Sequence, residues 1–262
     1  MLLVVDVGNT QTVIGLYESD DSPELIDHWR IATSAERTAD EYGLMFEQFL
    51  AQRDLVLEDA VTGLAVASVV PRLTATLRRM SARYLGFDPV VVGPGVRTGM
   101  PILYENPKEV GADRIADAVA AYDLYGGPTI VVDFGTATTV EVISAAGEYL
   151  GGAIAPGIEI SLDALYSRAA GLRRVELAEP PASAIGRNTT ESIQAGAVYG
   201  AVAMVDGLCL RVQDELGPCT VISTGGLGSL IAPLSSTIQH HEPWLMLHGL
   251  RLIHRKNTPE VT

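Results

Sequence analysis

The residues best suited to chemistry come first at Asp6-Val7-Gly8-Asn9-Thr10-Gln11-Thr12-Val13, after the apolar run Leu2 to Val5 and before Ile14-Gly15-Leu16. A buried strand that ends in a carboxylate and a glycine, turns through amide and hydroxyl residues and departs as a second apolar strand outlines a phosphate-facing hairpin. Gly8 lets the backbone come close to a ligand, while the turn N–H groups and the hydroxyls of Thr10 and Thr12 can point at phosphate oxygens. Asp6, at the strand end, can hold a hydrated Mg²⁺ against them. An ordinary hairpin with an Asn-Thr turn would share these residues. The pattern returns, however, at Asp133-Phe134-Gly135-Thr136-Ala137-Thr138-Thr139-Val140, which aligns without a gap to Asp6 through Val13. Half a chain is too long a period for a solenoid, whose repeats run to roughly 20–50 residues. It suits a duplicated domain whose two hairpins would grip a polyphosphate from opposite sides.

A second candidate group is Gly111-Ala112-Asp113-Arg114, opening a helical run through Tyr122. An acid and a base side by side at a helix start can be a plain surface pair. They can also divide labour, Asp113 accepting the proton of an attacking hydroxyl and Arg114 forking a carboxylate or phosphate. Tyr104 stands in polar, turn-rich surroundings and reads equally as loop packing. Gly151-Gly152-Ala153-Ile154-Ala155-Pro156-Gly157 and Thr224-Gly225-Gly226-Leu227-Gly228 are glycine-rich bends into helices. The latter lacks dinucleotide spacing but suits the face of an adenine or ribose. His240, His241, His248 and His254 share no ligand spacing and read as surface or helix residues.

The elements that must carry these residues alternate as strands and helices. Strands are expected at Glu24 to Thr33, Gly63 to Ser68 and Pro89 to Val92. A capping box, Thr38 with Glu41, opens a helix to about Arg53, and Pro71 opens another that stops at Gly86. Three antiparallel strands followed by helix, strand, helix and strand give an α/β layer order. Asn188 caps a long helix to about Glu215 that is crowded with Ala195, Gly196, Ala197, Gly200, Ala201, Ala203 and Gly207, implying close helix packing within the domain or between subunits. The chain has 262 residues, 47% hydrophobic and 19% charged, with net charge −14. A pI near 4.7 argues against nucleic-acid or anionic-membrane surfaces, which need basic patches. Two cysteines, Cys209 and Cys219, without a framework of spacings, and a start lacking a basic leader, point to a reduced cytoplasmic protein.

Six motifs in order resemble the type III pantothenate kinase family: DVGNTQTVIGL from Asp6, YENPKEVGADR from Tyr104, DFGTATTVEVI from Asp133, GGAIAPGIEIS from Gly151, GRNTTESIQAG from Gly186 and TGGLGSLIA from Thr224. The resemblance implies an α/β fold of two duplicated ribonuclease-H-like domains of the actin-like ATPase superfamily, divided at 1–116 and 117–262, with a nucleotide cleft between them. It implies ATP-dependent phosphorylation of pantothenate. Asp6 to Val13 and Thr136 would bind ATP, with Asp6 near Mg²⁺ and Asp133 holding K⁺ or NH₄⁺. Tyr104, Gly111, Ala112, Asp113 and Arg114 would line the pantothenate pocket, with Asp113 as general base. Thr189, or its neighbour Thr190, would reach pantothenate across a homodimer interface. Three positions depart from the family pattern: Asp117 stands where asparagine is expected, Gly228 where alanine is, and His248 where an acidic or polar residue is usual. A superfamily kinase with another hydroxyl acceptor, or a nucleotide-binding regulator that has lost activity, would keep the fold; the latter would show erosion at Asp6, Asp113 or Asp133, and all three are present.

Overall fold

The structure, a computed structural model, describes residues 1–169 and 171–258. The chain forms two compact units, one made of residues 1–100, 105–120 and 245 onward, the other of residues 101–104 and 121–244.

The first unit is built on a five-stranded sheet of order β3-β2-β1-β4-β5, with β1 (Leu2–Val7), β2 (Gln11–Tyr17), β3 (Leu25–Ala32), β4 (Gly63–Ser68) and β5 (Val90–Val91). β1 runs antiparallel to β2 and parallel to β4. β1 and β4 sit inside the sheet and are covered on both faces, so they are apolar almost throughout, whereas the edge strand β3 alternates. Helix α1 (Ala39–Ala51) starts at the expected capping box: the Glu41 N–H donates to Thr38 Oγ1 at 3.3 Å and the Thr38 N–H to Glu41 Oε2 at 2.6 Å. Its Tyr42, Phe46 and Leu50, one turn apart, pack with Leu3, Val5, Ile14 and Leu16 in the core. Truncating Phe46 to alanine would cost about 3–5 kcal/mol there. The short α2 (Leu57–Ala60) and α3 (Pro71–Met80), the latter with proline in its first turn, complete the layer.

Helix α4 (Ala112–Tyr125) carries the chain from the first unit to the second. There β6 (Thr129–Phe134), β7 (Ala137–Ile143), β8 (Tyr149–Pro156), β9 (Thr220–Thr224) and β10 (His240–His241) form a sheet of order β10-β9-β6-β7-β8, the same topology again. Helices α5 (Ile158–Arg168) and α6 (Thr189–Leu216) bury Ile158, Leu162, Val198, Val202, Val205 and Cys209 against Ile130, Val132 and Val140. Short α7 (Gly228–Ile231) follows β9. Among the described residues, α6 is the one helix long and apolar enough to cross a membrane by length and composition.

The duplication extends to detail. The β2–β3 ladder shifts register at Leu16/Tyr17 and the β7–β8 ladder at Val142/Ile143. Those positions coincide only when the ungapped alignment is corrected. Val7 pairs with Thr12, but Phe134 pairs with Thr138, so the second turn is one residue shorter. Thr138, and not Thr139, is the counterpart of Thr12, and both are buried.

Helix α8 (Leu245–Asn257) packs on β1 and β4 and so belongs with the first unit, which a single cut at 116/117 does not foresee. Gly15 makes room for it, since a Cβ there would lie 2.9 Å from Leu247 and from Val4. The histidines follow their surface-or-helix reading with one exception: His240 is exposed, His248 and His254 lie in α8, the latter buried with Nδ1 2.9 Å from Asp20 Oδ2, and only His241 is half-buried in a strand, β10.

Candidate functional site

In the first unit, Asp6 ends β1 half-buried, and the exposed turn Asn9-Thr10-Gln11 is closed by the Gly8 N–H donating to Gln11 O at 3.0 Å. Thr12 does not face outward. Its side chain is buried, with Oγ1 2.9 Å from Thr33 Oγ1, and Thr33 Oγ1 donates to Gly8 O at 2.8 Å. Since the Thr33 proton goes to Gly8, the Thr12 hydroxyl donates to Thr33, and it is unable to serve a phosphate. This corrects the expected role of Thr12. Val13 pairs with Asp6 and Arg30 inside the sheet, and Val7 is fully buried, so neither side chain offers a polar group. Thr33, whose N–H also donates to Thr10 O at 2.9 Å, is a brace that motif reading missed, because it lies outside the motif. Arg30 is a second omission: its Nη1 donates to Gln11 Oε1 at 2.9 Å and brings positive charge to the rim of the turn.

In the second unit, Asp133 ends β6 in the same way, and Gly135 and Thr136 are exposed in the shorter turn. The brace here is backbone. The Gly157 N–H donates to Thr136 O at 3.2 Å, as that of Thr33 does to Thr10. A Cβ on Gly157 would collide with the carbonyls of Gly135 and Thr136, so only glycine allows this approach. The 224–228 bend also closes on the hairpin. Gly225, at φ +87°, has no Cβ to overlap Asp133 Oδ1 or the Phe134 backbone, and the Leu227 N–H donates to Phe134 O at 3.4 Å. At Gly228 an added Cβ would lie 2.5 Å from His241 Cε1, so an alanine there would need the His241 ring to move.

Asp113 sits half-buried in the first turn of α4, in the first unit, with Oδ1 accepting the Arg114 N–H at 2.9 Å. That oxygen folds back over Gly111, where an added Cβ would lie 2.2 Å from it. Arg114 is 9% exposed and Asp117 is 3% exposed one turn further on, so the latter lies in the body of the helix and not at its mouth. Ala112 is half-buried in the same turn. Tyr104 belongs to the second unit, where its ring lies 6.4 Å from that of Tyr149 and over Gly151.

Thr189 and Thr190 are exposed at the start of α6, beside Asn188, whose Oδ1 accepts the Glu191 N–H at 2.9 Å. Thr189 lines a groove of about 870 Å³ between α5 and α6, floored by Gly196 and Gly200 and walled by Ile158 and Leu162. Among the described residues no three His, Cys, Asp or Glu side chains converge to hold a metal ion.

The family model for type III pantothenate kinase matches residues 2–211. The chain is 54% identical to the type III pantothenate kinase of Myxococcus xanthus, covering 98% of this chain and 99% of that protein. It is 55% identical to that of Anaeromyxobacter sp. strain Fw109-5, covering 98% and 100%. In fold it is similar to the activator of 2-hydroxyisocaproyl-CoA dehydratase from Clostridium difficile, at TM-score 0.53 and 10% identity, over 100% of this chain and 99% of that one.

Proposed function

This chain belongs to the type III pantothenate kinase family, and from that membership we propose that it transfers the γ-phosphoryl group of ATP to the primary hydroxyl of pantothenate, opening coenzyme A biosynthesis. The observation that carries the reading is full-length identity above half, with Asp6, Asp113 and Asp133 all standing at the ends of elements. In this reading Asp113 takes the hydroxyl proton as the new P–O bond forms and the bond to ADP breaks. Arg114 forks the pantothenate carboxylate, and Tyr104, Gly111 and Ala112 line that pocket. The amides of Gly8 to Gln11, with Thr136, hold the phosphates.

Single carboxylates at strand ends fit the ions the family uses. Mg²⁺ keeps several waters and takes substrate phosphate oxygens, so Asp6 suffices on the protein side. Asp133, whose carboxylate lies against Gly135 and Gly225, would hold K⁺ or NH₄⁺. The ions supply charge neutralisation on the phosphates; positioning is the protein's share.

The groove at Thr189 and the small residues along α6 support a homodimer in which Thr189 of one subunit reaches the pantothenate of the other. The buried free thiols of Cys209 and Cys219 support a cytoplasmic location. The test is ATP-dependent phosphorylation of pantothenate with and without K⁺, beside Asp113→Asn. Turnover that needs K⁺ and falls by ~10²–10⁴ in the variant supports the assignment. A folded, ATP-binding protein without turnover refutes it.

A further inference from the structure

One buried carboxylate lies away from the phosphate turns and outside the Asp113 group. Glu141, in the middle of β7, is wholly shielded from solvent, and its Oε2 accepts a hydrogen bond from the Tyr149 hydroxyl. Tyr149 is itself fully buried at the start of β8, beside the register shift at Val142/Ile143.

The backbone of Tyr149 carries an added strip of chain. Its N–H donates to Pro101 O at 2.9 Å, and its carbonyl accepts the Leu103 N–H at 2.8 Å, so residues 101–104 run along β8 as a short parallel extension through Ile102. Tyr104 ends that strip. Its ring leans on Tyr149 at 6.4 Å between centroids, and it covers Gly151, where an added Cβ would come within 3.3 Å of it. Gly151, at φ +116°, leaves the space that the ring fills.

We propose that Glu141 and Tyr149 are positioning residues for Tyr104: the buried hydrogen bond fixes the Tyr149 ring, and that ring, with the two backbone bonds, sets where the Tyr104 side chain stands. The inference rests on the reading of Tyr104 as a pantothenate contact. Neither Glu141 nor Tyr149 touches substrate. A carboxyl group suits this task, since its oxygens accept the phenolic O–H and hold the ring in one orientation.

The experiment compares steady-state constants for Tyr149→Phe, Glu141→Met, Glu141→Gln, Tyr104→Ala and the double variant Tyr104→Ala/Tyr149→Phe, with melting temperature recorded for each. Losing one hydrogen bond should raise KM for pantothenate by about tenfold in Tyr149→Phe and Glu141→Met, leaving KM for ATP and kcat near their starting values. Glu141→Gln, which keeps an acceptor oxygen, should retain most of the pantothenate affinity. In the Tyr104→Ala background Tyr149→Phe should add nothing further, because both act through one side chain. Additive effects, or equal shifts in both KM values that track melting temperature, would overturn the proposal and leave a structural bond. If Tyr104→Ala leaves pantothenate KM unchanged, the substrate contact itself is wrong and the proposal falls with it. If Tyr104→Ala raises KM but Tyr149→Phe and Glu141→Met do not, the contact stands and only the positioning role is lost.

Discussion

Thr12 and Thr33 show how a single hydroxyl changes meaning with its surroundings. By sequence Thr12 is one more polar group in a phosphate turn, but the pleat of β2 turns it inward, and its hydroxyl is spent on Thr33. Thr33 then becomes the residue that fixes the turn, through Gly8 O and Thr10 O. Thr33→Val strands the Gly8 carbonyl and the Thr12 hydroxyl, and should cost about 1–3 kcal/mol of stability. It should also raise KM for ATP several-fold while leaving that for pantothenate unchanged, a split that steady-state kinetics reads directly. Asp6, Asp113 and Asp133 were legible because strand and helix ends place carboxylates by local rules. Thr33, Arg30 and Glu141 were not, since each acts on a partner from a different strand and no local spacing records that pairing.

At the scale of elements, caps and periodicity located most boundaries: Thr38 and Asn188 cap the helices they were expected to cap. The misaligned second hairpin shows the limit. Two threonines in a row, Thr138 and Thr139, let a gapless match slide past the shorter turn, and only strand pairing discriminates between them. Element geometry also sets a pH dependence. Asp206 on α6 holds the segment after α7 by accepting hydrogen bonds from Ser235 Oγ at 2.5 Å, Ser236 N at 2.9 Å, Ser236 Oγ at 2.7 Å and Thr237 Oγ1 at 2.8 Å. Burial alone pushes this carboxyl up, but the bonds from Ser235, Ser236 and Thr237 outweigh it and hold it at about 2. A folded pKa below the unfolded one stabilises the fold above the ordinary value of 3.8, and that contribution is lost as pH falls through about 2. The melting-temperature gap between the native protein and Asp206→Asn should therefore be full at pH 6 and close between pH 4 and 2. A gap independent of pH would exclude this role.

For the whole molecule, the two sheets repeat one topology, yet the units are not successive along the chain. The periodicity of α8 says that it is amphipathic but not which sheet it covers, and this is why the division at 116/117 misplaced it. Val4, Gly15 and Gly63 form part of its seat, with Leu247 and His254 laid upon them. A chain shortened after Trp244 should lose protection from hydrogen exchange throughout β1 and β4 while β6, β7 and β9 keep theirs.

That arrangement fixes an order of events at the ribosome. β1, the first strand made, waits for α8 until all of residues 121–244 have been translated. At about 5–20 residues per second, that delay is on the order of ten seconds. The later-encoded unit can thus finish folding before the earlier one, and during the interval the β1 face around Val4 and Gly15 lacks the helix that covers it.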